Sequence, residues 1–462
     1  MLDLHRLVDD PARRLHFVGV AGTGMSALAQ VRAMGGGRVS GSDRSLDRKE
    51  AAEEAAFLRA AGVELLPQDG AGVVGADLVI ASTAVEARIA DLLRAVDLGI
   101  PVLHRADLLA HHVAGDSVGI AGTSGKSTVT AMVFEILRAA GRDPSLATGG
   151  RLLRLMDEGL LGNAWCGRGP FVFEADESDG SLVKHGPRHG VVLNLHKDHM
   201  DAALVLEQFR VFRERTRGGF VVSDDPPLAP LRDGACVYGF GPDATLRATR
   251  LELTRGGSTF EIDGVRFTLE HPGVHNATNA LAAAALAHVR GIGLDVSAAA
   301  LARFGGVFRR FQRVGTVAGV EVVDDFAHNP EKVKAVLSAA QGRARRVFAW
   351  FQPHGFAPLR FFGDDLVETV AETLRPRDEF DFAPVYFAGG TVTRDVDSGA
   401  YVDKLRARGA RTALAEDRAS WARAVAQRVE PGDVVLVLGA RDPTLHAFAR
   451  DVVAALQARL SP

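Results

Sequence analysis

Residues 122–128 read Gly-Thr-Ser-Gly-Lys-Ser-Thr, between a short apolar run and a helix-like pattern. Such a turn lets the backbone N–H groups of Gly122, Thr123, Ser124, Gly125 and Lys126 surround phosphate oxygens. Lys126 can neutralise the charge of β- and γ-phosphates, and the hydroxyl of Ser127, just before Thr128, can reach Mg²⁺. A lysine at this turn has no packing purpose. The general phosphate-loop pattern would place a glycine at Ile120, so this is a shortened form.

A second glycine-rich turn runs Gly19-Val-Ala-Gly22-Thr23-Gly24-Met25-Ser26, after a strand and before a helix. Its glycines allow close approach to a phosphate at a helix N-terminus. Asp43, at the end of the next strand, could bond a ribose hydroxyl. The spacing differs from the dinucleotide fingerprint, and a tight turn without ligand also satisfies it.

Glu174 ends the run "FVFE", where a carboxylate beside a phosphate loop can hold a metal. Asp176, Glu177 and Asp179 read as a solvated acidic loop. His199, in "NLHKDHMD", stands at another strand end and could bind a second metal or a substrate oxygen, with His196 and Asp198 behind it. Asn276 and Asn279 share one helix face and can read an adenine edge, although Asn276 could equally cap the helix. Arg310, in "FRRFQR", can clamp a transferring phosphoryl group. Arg309 and Arg313 read as a solvated basic turn.

These residues need a scaffold, and strand and helix patterns alternate through most of the chain, the sign of parallel α/β sheets. The length of 462 residues predicts three domains. The boundaries fall at 1–115, 116–314 and 315–462. The first and last are Rossmann-like. The central one is a phosphate-loop domain with a parallel sheet plus a small antiparallel sheet, the latter from alternating runs between Ala244 and Glu270. Further elements are an Ala-rich helix from Asn276, a helix around Leu366–Leu374, and strands in "FAPVYFAGG" and "DVVLVLG".

The net charge of −3 gives no basic excess for nucleic acid or a membrane surface. Two cysteines, Cys166 and Cys236, cannot build a disulfide framework and read as buried thiols in a reducing compartment. The N-terminus lacks a signal-peptide layout, and no apolar run approaches the roughly 20 residues that span a bilayer. The expectation is a cytoplasmic enzyme, monomer or homodimer, with no nucleic-acid or membrane partner.

The ordered set "GTSGKST", "EADESD", "DHMD", "PGVHNATNA", "RRF" and "DDFAHNP" resembles the Mur ligase family over nearly the whole chain. These are ATP-dependent amide-forming enzymes of peptidoglycan precursor synthesis. The resemblance implies that ATP phosphorylates the lactyl carboxylate of UDP-N-acetylmuramate. An amine, L-alanine or a related one, then displaces phosphate from the acyl phosphate. Gly22, Thr23, Gly24, Met25, Ser26 and Asp43 would contact the UDP part. The loop 122–128 would hold ATP, with Asn276 and Asn279 at the adenine, Arg310 at the γ-phosphate and Asp325 at the ribose. Ser127 and Glu174 would hold one Mg²⁺, and His199 would help with a second. The implied catalytic set is Lys126, Glu174, His199, Arg310 and His328, with His328 at the reacting region. The third domain would bind the amino acid or peptide. Glu214 lies about where some members carry a carbamylated lysine and is offered as a substitute ligand.

Three departures bear on the amine. After "FQPH", Gly355-Phe356-Ala357-Pro358 replaces Arg-Tyr-Thr-Arg, removing two arginines that would grip the incoming amino acid. Ser124 and Asn329 each stand where the family pattern has His. The amine is therefore left as L-alanine, another amino acid, or a recycled tripeptide. A nicotinamide oxidoreductase built on residues 19–43 would leave Lys126, Glu174 and His199 unexplained. A nucleotide-binding regulator without catalysis conflicts with the presence of Lys126, Glu174 and Arg310.

Overall fold

The computed structural model describes residues 4–460, apart from 84, 87, 178–179, 197–200, 255 and 388–392. Among the described residues, three sheets carry the strands. The first holds β1 (Arg14–Val18), β2 (Arg38–Ser42), β3 (Glu64–Leu65), β4 (Leu78–Ala81) and β5 (Val102–His104), all parallel, in the order β3-β2-β1-β4-β5. Its order reverses between β1 and β4. Loops leaving those two strands diverge there and open a crevice at their C-terminal ends.

The second sheet has ten strands: β6 (Ser117–Ala121), β7 (Ser145–Ala147), β8 (Ala164–Trp165), β9 (Phe171–Glu174), β10 (His189–Val192), β11 (Phe220–Ser223), β12 (Cys236–Gly239), β13 (Leu246–Leu253), β14 (Ser258–Ile262) and β15 (Val265–Leu269). Their order is β15-β14-β13-β12-β11-β10-β6-β9-β7-β8. β6 sits between β10 and β9, parallel to both. It is buried along its length, as a strand covered on both faces must be, and so reads as a continuous apolar run. The strands expected to form a separate small sheet instead extend this one, because β13 pairs with β12 in parallel register. Their alternating burial reflects one solvated face.

The third sheet comprises β16 (Gln312–Val317), β17 (Val320–Asp325), β18 (Val347–Gln352), β19 (Glu379–Phe382) and β20 (Val434–Gly439), in the order β16-β17-β20-β18-β19. Only the β16–β17 pair is antiparallel. Two expectations shift here. The helix read around Leu366–Leu374 spans Phe356–Thr373, since Pro358 falls in its first turn, where a missing N–H costs nothing. The strand read in "FAPVYFAGG" ends at Phe382, because Pro384 has no N–H for a ladder; Ala388 to Gly390 lie outside the described residues.

The chain divides into two compact units. The first takes residues 1–250, 260–268 and 278–308, and the second takes 251–259, 269–277 and 309–462. In the first, one apolar cluster runs from Phe17 and Leu28 through Leu109 to Phe173 and Phe212. In the second, the two faces of the third sheet bury separate clusters, around Phe351 and Phe380 and around Trp350 and Phe448. Cys166 and Cys236 are half-buried rather than fully buried, and burial raises both thiols above their ordinary pKa. Among the described residues no helix is long and apolar enough to cross a membrane.

Candidate active site

The phosphate loop leaves β6 and turns into the helix Lys126–Ala139. Gly125 has φ +86°, a left-handed conformation that favours glycine. A side chain there would also strike Asn279, whose Oδ1 lies 2.5 Å from where a Cβ would be. Asn279 is thus held over the loop. From the other side Asn194, just past β10, clamps it. Its Oδ1 accepts from Thr123 Oγ1 and Ser124 N, both at 2.9 Å, and its Nδ2 donates to Ser124 O at 3.0 Å. Asn194 opens the run "NLHKDHMD", but the sequence reading gave it no role.

Lys126 Nζ donates to Gly122 O at 2.8 Å and to Glu177 Oε2 at 2.7 Å, with Asp176 at 3.4 Å. Burial disfavours the ammonium, but Glu177 and Asp176, with Glu174 behind them, outweigh it and hold Lys126 above the ordinary lysine pKa. Glu177, read from sequence as solvated, is therefore corrected to a buried partner of the loop lysine. Asp179 lies outside the described residues.

Glu174 ends β9 beside the loop that follows β7. Its Oε1 accepts from Thr148 Oγ1 and from Gly149 N, and Oε2 makes no bond among the described residues. Gly150 packs against Ser127, where a Cβ would come within 2.9 Å of the serine Cβ. The segment Thr148–Gly150, also missed in the sequence, therefore brings Glu174 and Ser127 to one place. An uncommitted carboxylate oxygen, a buried hydroxyl and phosphate oxygens are the hard donors that Mg²⁺ takes. These residues fit that ion. Among the described residues no three His, Cys, Asp or Glu side chains converge as a metal cluster. His199 and Asp198 lie outside the described residues, and His196 and Glu214 are exposed.

A cleft of about 540 Å³ opens where the first sheet reverses order. Gly22, Thr23, Gly24, Met25 and Asp43 line it, and so do Thr148, Gly149, Glu174 and Asp176. Asp43 caps a short helix by accepting from Ser45 N and accepts again from Ala21 N, tying the end of β2 to the glycine turn. Ser26 differs from the expectation. It is buried away from the cleft, donating to Thr23 O and accepting from Asn163 Nδ2. The wall includes Arg105, whose guanidinium fills the space beside Gly24, with its NH1 2.7 Å from where a Cβ would stand. A side chain at Gly24 would therefore push the flexible Arg105 guanidinium aside. Of the cleft's cations, Arg44 faces Glu86 at 3.6 Å on the surface, and Arg105 lines the wall beside the glycine turn.

Arg310, Asp325, His328 and Asn276 belong to the second unit. Asn276 lies inside the helix Val274–Val289 rather than capping it, and its Nδ2 donates to Pro272 O at 2.8 Å. The Arg310 guanidinium lies 4.9 Å from the Phe326 ring centroid. Arg309 is not in a solvated turn: it is buried, with Nε bonding both oxygens of Asp324. Asp325 accepts from Phe311 N and Ala327 N, and burial pushes its carboxyl up to about 6 against the pull of Arg310. The His328 ring centroid lies 4.7 Å from that of His354, and burial, then Lys332 and His354, drive its pKa well below the ordinary value. Asn329 caps the helix Pro330–Gln341, a role that a second histidine would not fill as well.

Three family models match the chain: the Mur ligase catalytic domain over residues 14–116, the Mur ligase middle domain over 120–287, and the Mur ligase glutamate ligase domain over 309–441. UDP-N-acetylmuramate–L-alanine ligase from Rhodopseudomonas palustris is 37% identical over 94% of this chain and 96% of its own length. The solved structure of UDP-N-acetylmuramate–alanine ligase from Thermotoga maritima aligns with a TM-score of 0.78 and 26% identity, covering 96% of this chain and 99% of that one. A murein peptide ligase from Psychrobacter arcticus shares the fold, with a TM-score of 0.67 and 22% identity over 96% of this chain and 99% of that one. A phosphate loop clamped beside a strand-end glutamate, with a second glycine turn on the same cleft, fits these matches, and the chain belongs to the Mur ligase family.

Proposed function

We propose that this chain is an ATP-dependent, ADP-forming ligase that joins L-alanine to UDP-N-acetylmuramate through an acyl phosphate, in peptidoglycan precursor synthesis. The observation that carries the reading is a single cleft lined both by Asp43 with its glycine turn and by Thr148, Gly149 and Glu174. An acceptor bound along it brings its carboxylate toward the phosphate loop. Residues 1–115 would hold the UDP-sugar, 116–314 the ATP, and 315–462 the amine.

In this mechanism Gly122 to Lys126 orient the phosphates with backbone N–H groups, and Lys126 balances charge on the transferring phosphoryl group. Ser127 and Glu174 would hold Mg²⁺, which supplies Lewis-acid neutralisation of the phosphate oxygens. Asn194 and Asn279 keep the loop in shape. Arg310 would meet the γ-phosphate, Asp325 the ribose and His328 the reacting carboxyl, while His199 would assist a second ion. The protein then needs only to place three substrates, neutralise charge and exclude water, because positioning and electrostatic stabilisation supply most of such a barrier's reduction.

Phosphate release with ATP, Mg²⁺ and UDP-N-acetylmuramate, screened over amino acids and short peptides, tests the reading. L-Alanine should give the largest rate. Silence with every amine would end the ligase assignment. One observation favours a second reading in which the amine is a peptide or another amino acid. Gly355 to Pro358 carry no cation, and Arg360, the next arginine, is paired with Asp395. A peptide that outpaces L-alanine in the same screen would establish that reading.

Arg105 yields a further expectation. Arg105→Met should raise the KM for UDP-N-acetylmuramate by about tenfold or more, the worth of one charged hydrogen bond, while the KM for ATP stays put. Steady-state kinetics in both substrates decide it, and an unchanged acceptor KM would remove Arg105 from the binding surface.

A further inference from the structure

The reaction as derived leaves Glu177 without a role. Its side chain is only 9% exposed, and that of Lys126 is 14% exposed. The lysine ammonium has three N–H donors. Gly122 O at 2.8 Å and Glu177 Oε2 at 2.7 Å take two of them, and Asp176 Oδ1 stands at 3.4 Å as an ion-pair neighbour. In this arrangement the loop lysine is engaged by protein oxygens.

A phosphate that approaches that lysine must compete with them for its charge. Gly122 O belongs to the loop itself and moves with it. Asp176 is half-exposed and more distant, so its pull is weaker than that of Glu177. The exchange that matters is therefore the buried Glu177 carboxylate for phosphate. A ligand that needs a partly populated state binds more weakly by that population's fraction.

We propose that Glu177 competes with the nucleotide β-phosphate for Lys126, so that its carboxylate sets nucleotide affinity through the lysine. The proposal rests on the reading of residues 122–128 as a nucleotide loop. Glu177 is a positioning residue in this scheme, since it acts through Lys126. Burial already raises its carboxyl pKa, with Lys126 the main opposing influence. Losing the lysine thus leaves the carboxylate more poorly compensated, which strengthens the competition.

The test measures ADP affinity by titration calorimetry without divalent cation, so that the readout is neither activity nor metal loading. Wild type, Glu177→Gln, Glu177→Asp, Lys126→Ala and the Lys126→Ala/Glu177→Gln double variant are compared. Glu177→Gln should bind ADP about tenfold more tightly than wild type, and Glu177→Asp, one methylene shorter, should fall between. In the Lys126→Ala background the Gln substitution should change nothing. Equal or weaker binding by Glu177→Gln overturns the proposal. So does the same tightening in the Lys126→Ala background, which would make Glu177 a direct repeller of phosphate. Should Glu177→Gln fail to fold, Glu177→Asp carries the comparison alone, with unchanged or weaker binding as the overturning result. A wild type that binds no ADP overturns the nucleotide reading of the loop itself, a failure distinct from the others.

Discussion

Lys126→Ala should lower ATP-dependent phosphate release by about 10³-fold, the cost of removing a preorganised charge from a transferring phosphoryl group. Binding of UDP-N-acetylmuramate should survive, because the glycine turn, Asp43 and Arg105 line the cleft without help from the lysine. Calorimetric titration of the UDP-sugar beside a phosphate-release assay separates the two. A variant within about tenfold of wild type would take Lys126 out of the chemistry. Loss of UDP-sugar binding as well would break the division of labour between turn and loop.

The same substitution has a stability consequence. It strips Glu177 of its closest cation while the carboxylate stays buried, and breaking such a pair costs about 3 kcal/mol. The Glu177 carboxyl is already raised above its ordinary value by burial, with Lys126 acting to lower it. Removing Lys126 raises it further. A carboxyl whose folded pKa exceeds its unfolded value destabilises the fold above the folded pKa, and that penalty fades as pH falls toward the unfolded value. The melting-temperature deficit of Lys126→Ala should therefore shrink on acidification from neutral pH. A deficit that grows on acidification would contradict the pairing.

Glu174→Gln should cut kcat/KM by about 10²-fold and shift the Mg²⁺ requirement to higher concentration, since a neutral amide is a poor ligand for a hard cation. The melting temperature should barely move. The amide oxygen of Gln can still accept from Thr148 Oγ1 and Gly149 N, which is where the protein holds Glu174. A Mg²⁺ titration of phosphate release, run beside thermal denaturation, distinguishes the outcomes. An unchanged Mg²⁺ requirement would sink the assignment of Glu174 as a ligand. A large fall in melting temperature would recast it as a structural acceptor for the Thr148 loop.

The glycine turns at 19–26 and 122–128, the acid closing β9 and the buried strands were legible in the chain, because each is a local pattern. A parallel strand covered on both faces must be apolar throughout, so β6 and β20 announce themselves. A phosphate loop is written in consecutive residues, since consecutive N–H groups do the binding. Asn194, Thr148 to Gly150 and Arg105 were not legible. Each acts on a segment from 23 to more than 70 residues away, and an asparagine, threonine or arginine looks like surface until the sheet order brings its partner to it.

Burial of charge was illegible for the same reason. Arg309 and Glu177 stand in runs of polar residues that read as solvated, yet the fold pairs one with Asp324 and the other with Lys126. Ser26 shows the converse: it sits in a binding motif, but the helix turns its hydroxyl toward Asn163 and away from the cleft. By itself the sequence determined that the chain is α/β and singled out Lys126 in its glycine-rich turn, because both are set by neighbours along the backbone. Only the tertiary structure decided which carboxylate holds that lysine, which arginine stands in the cleft and which asparagine clamps the loop. Those pairings depend on where β6, β9 and β10 lie beside one another, and strand order is a property of the folded sheet.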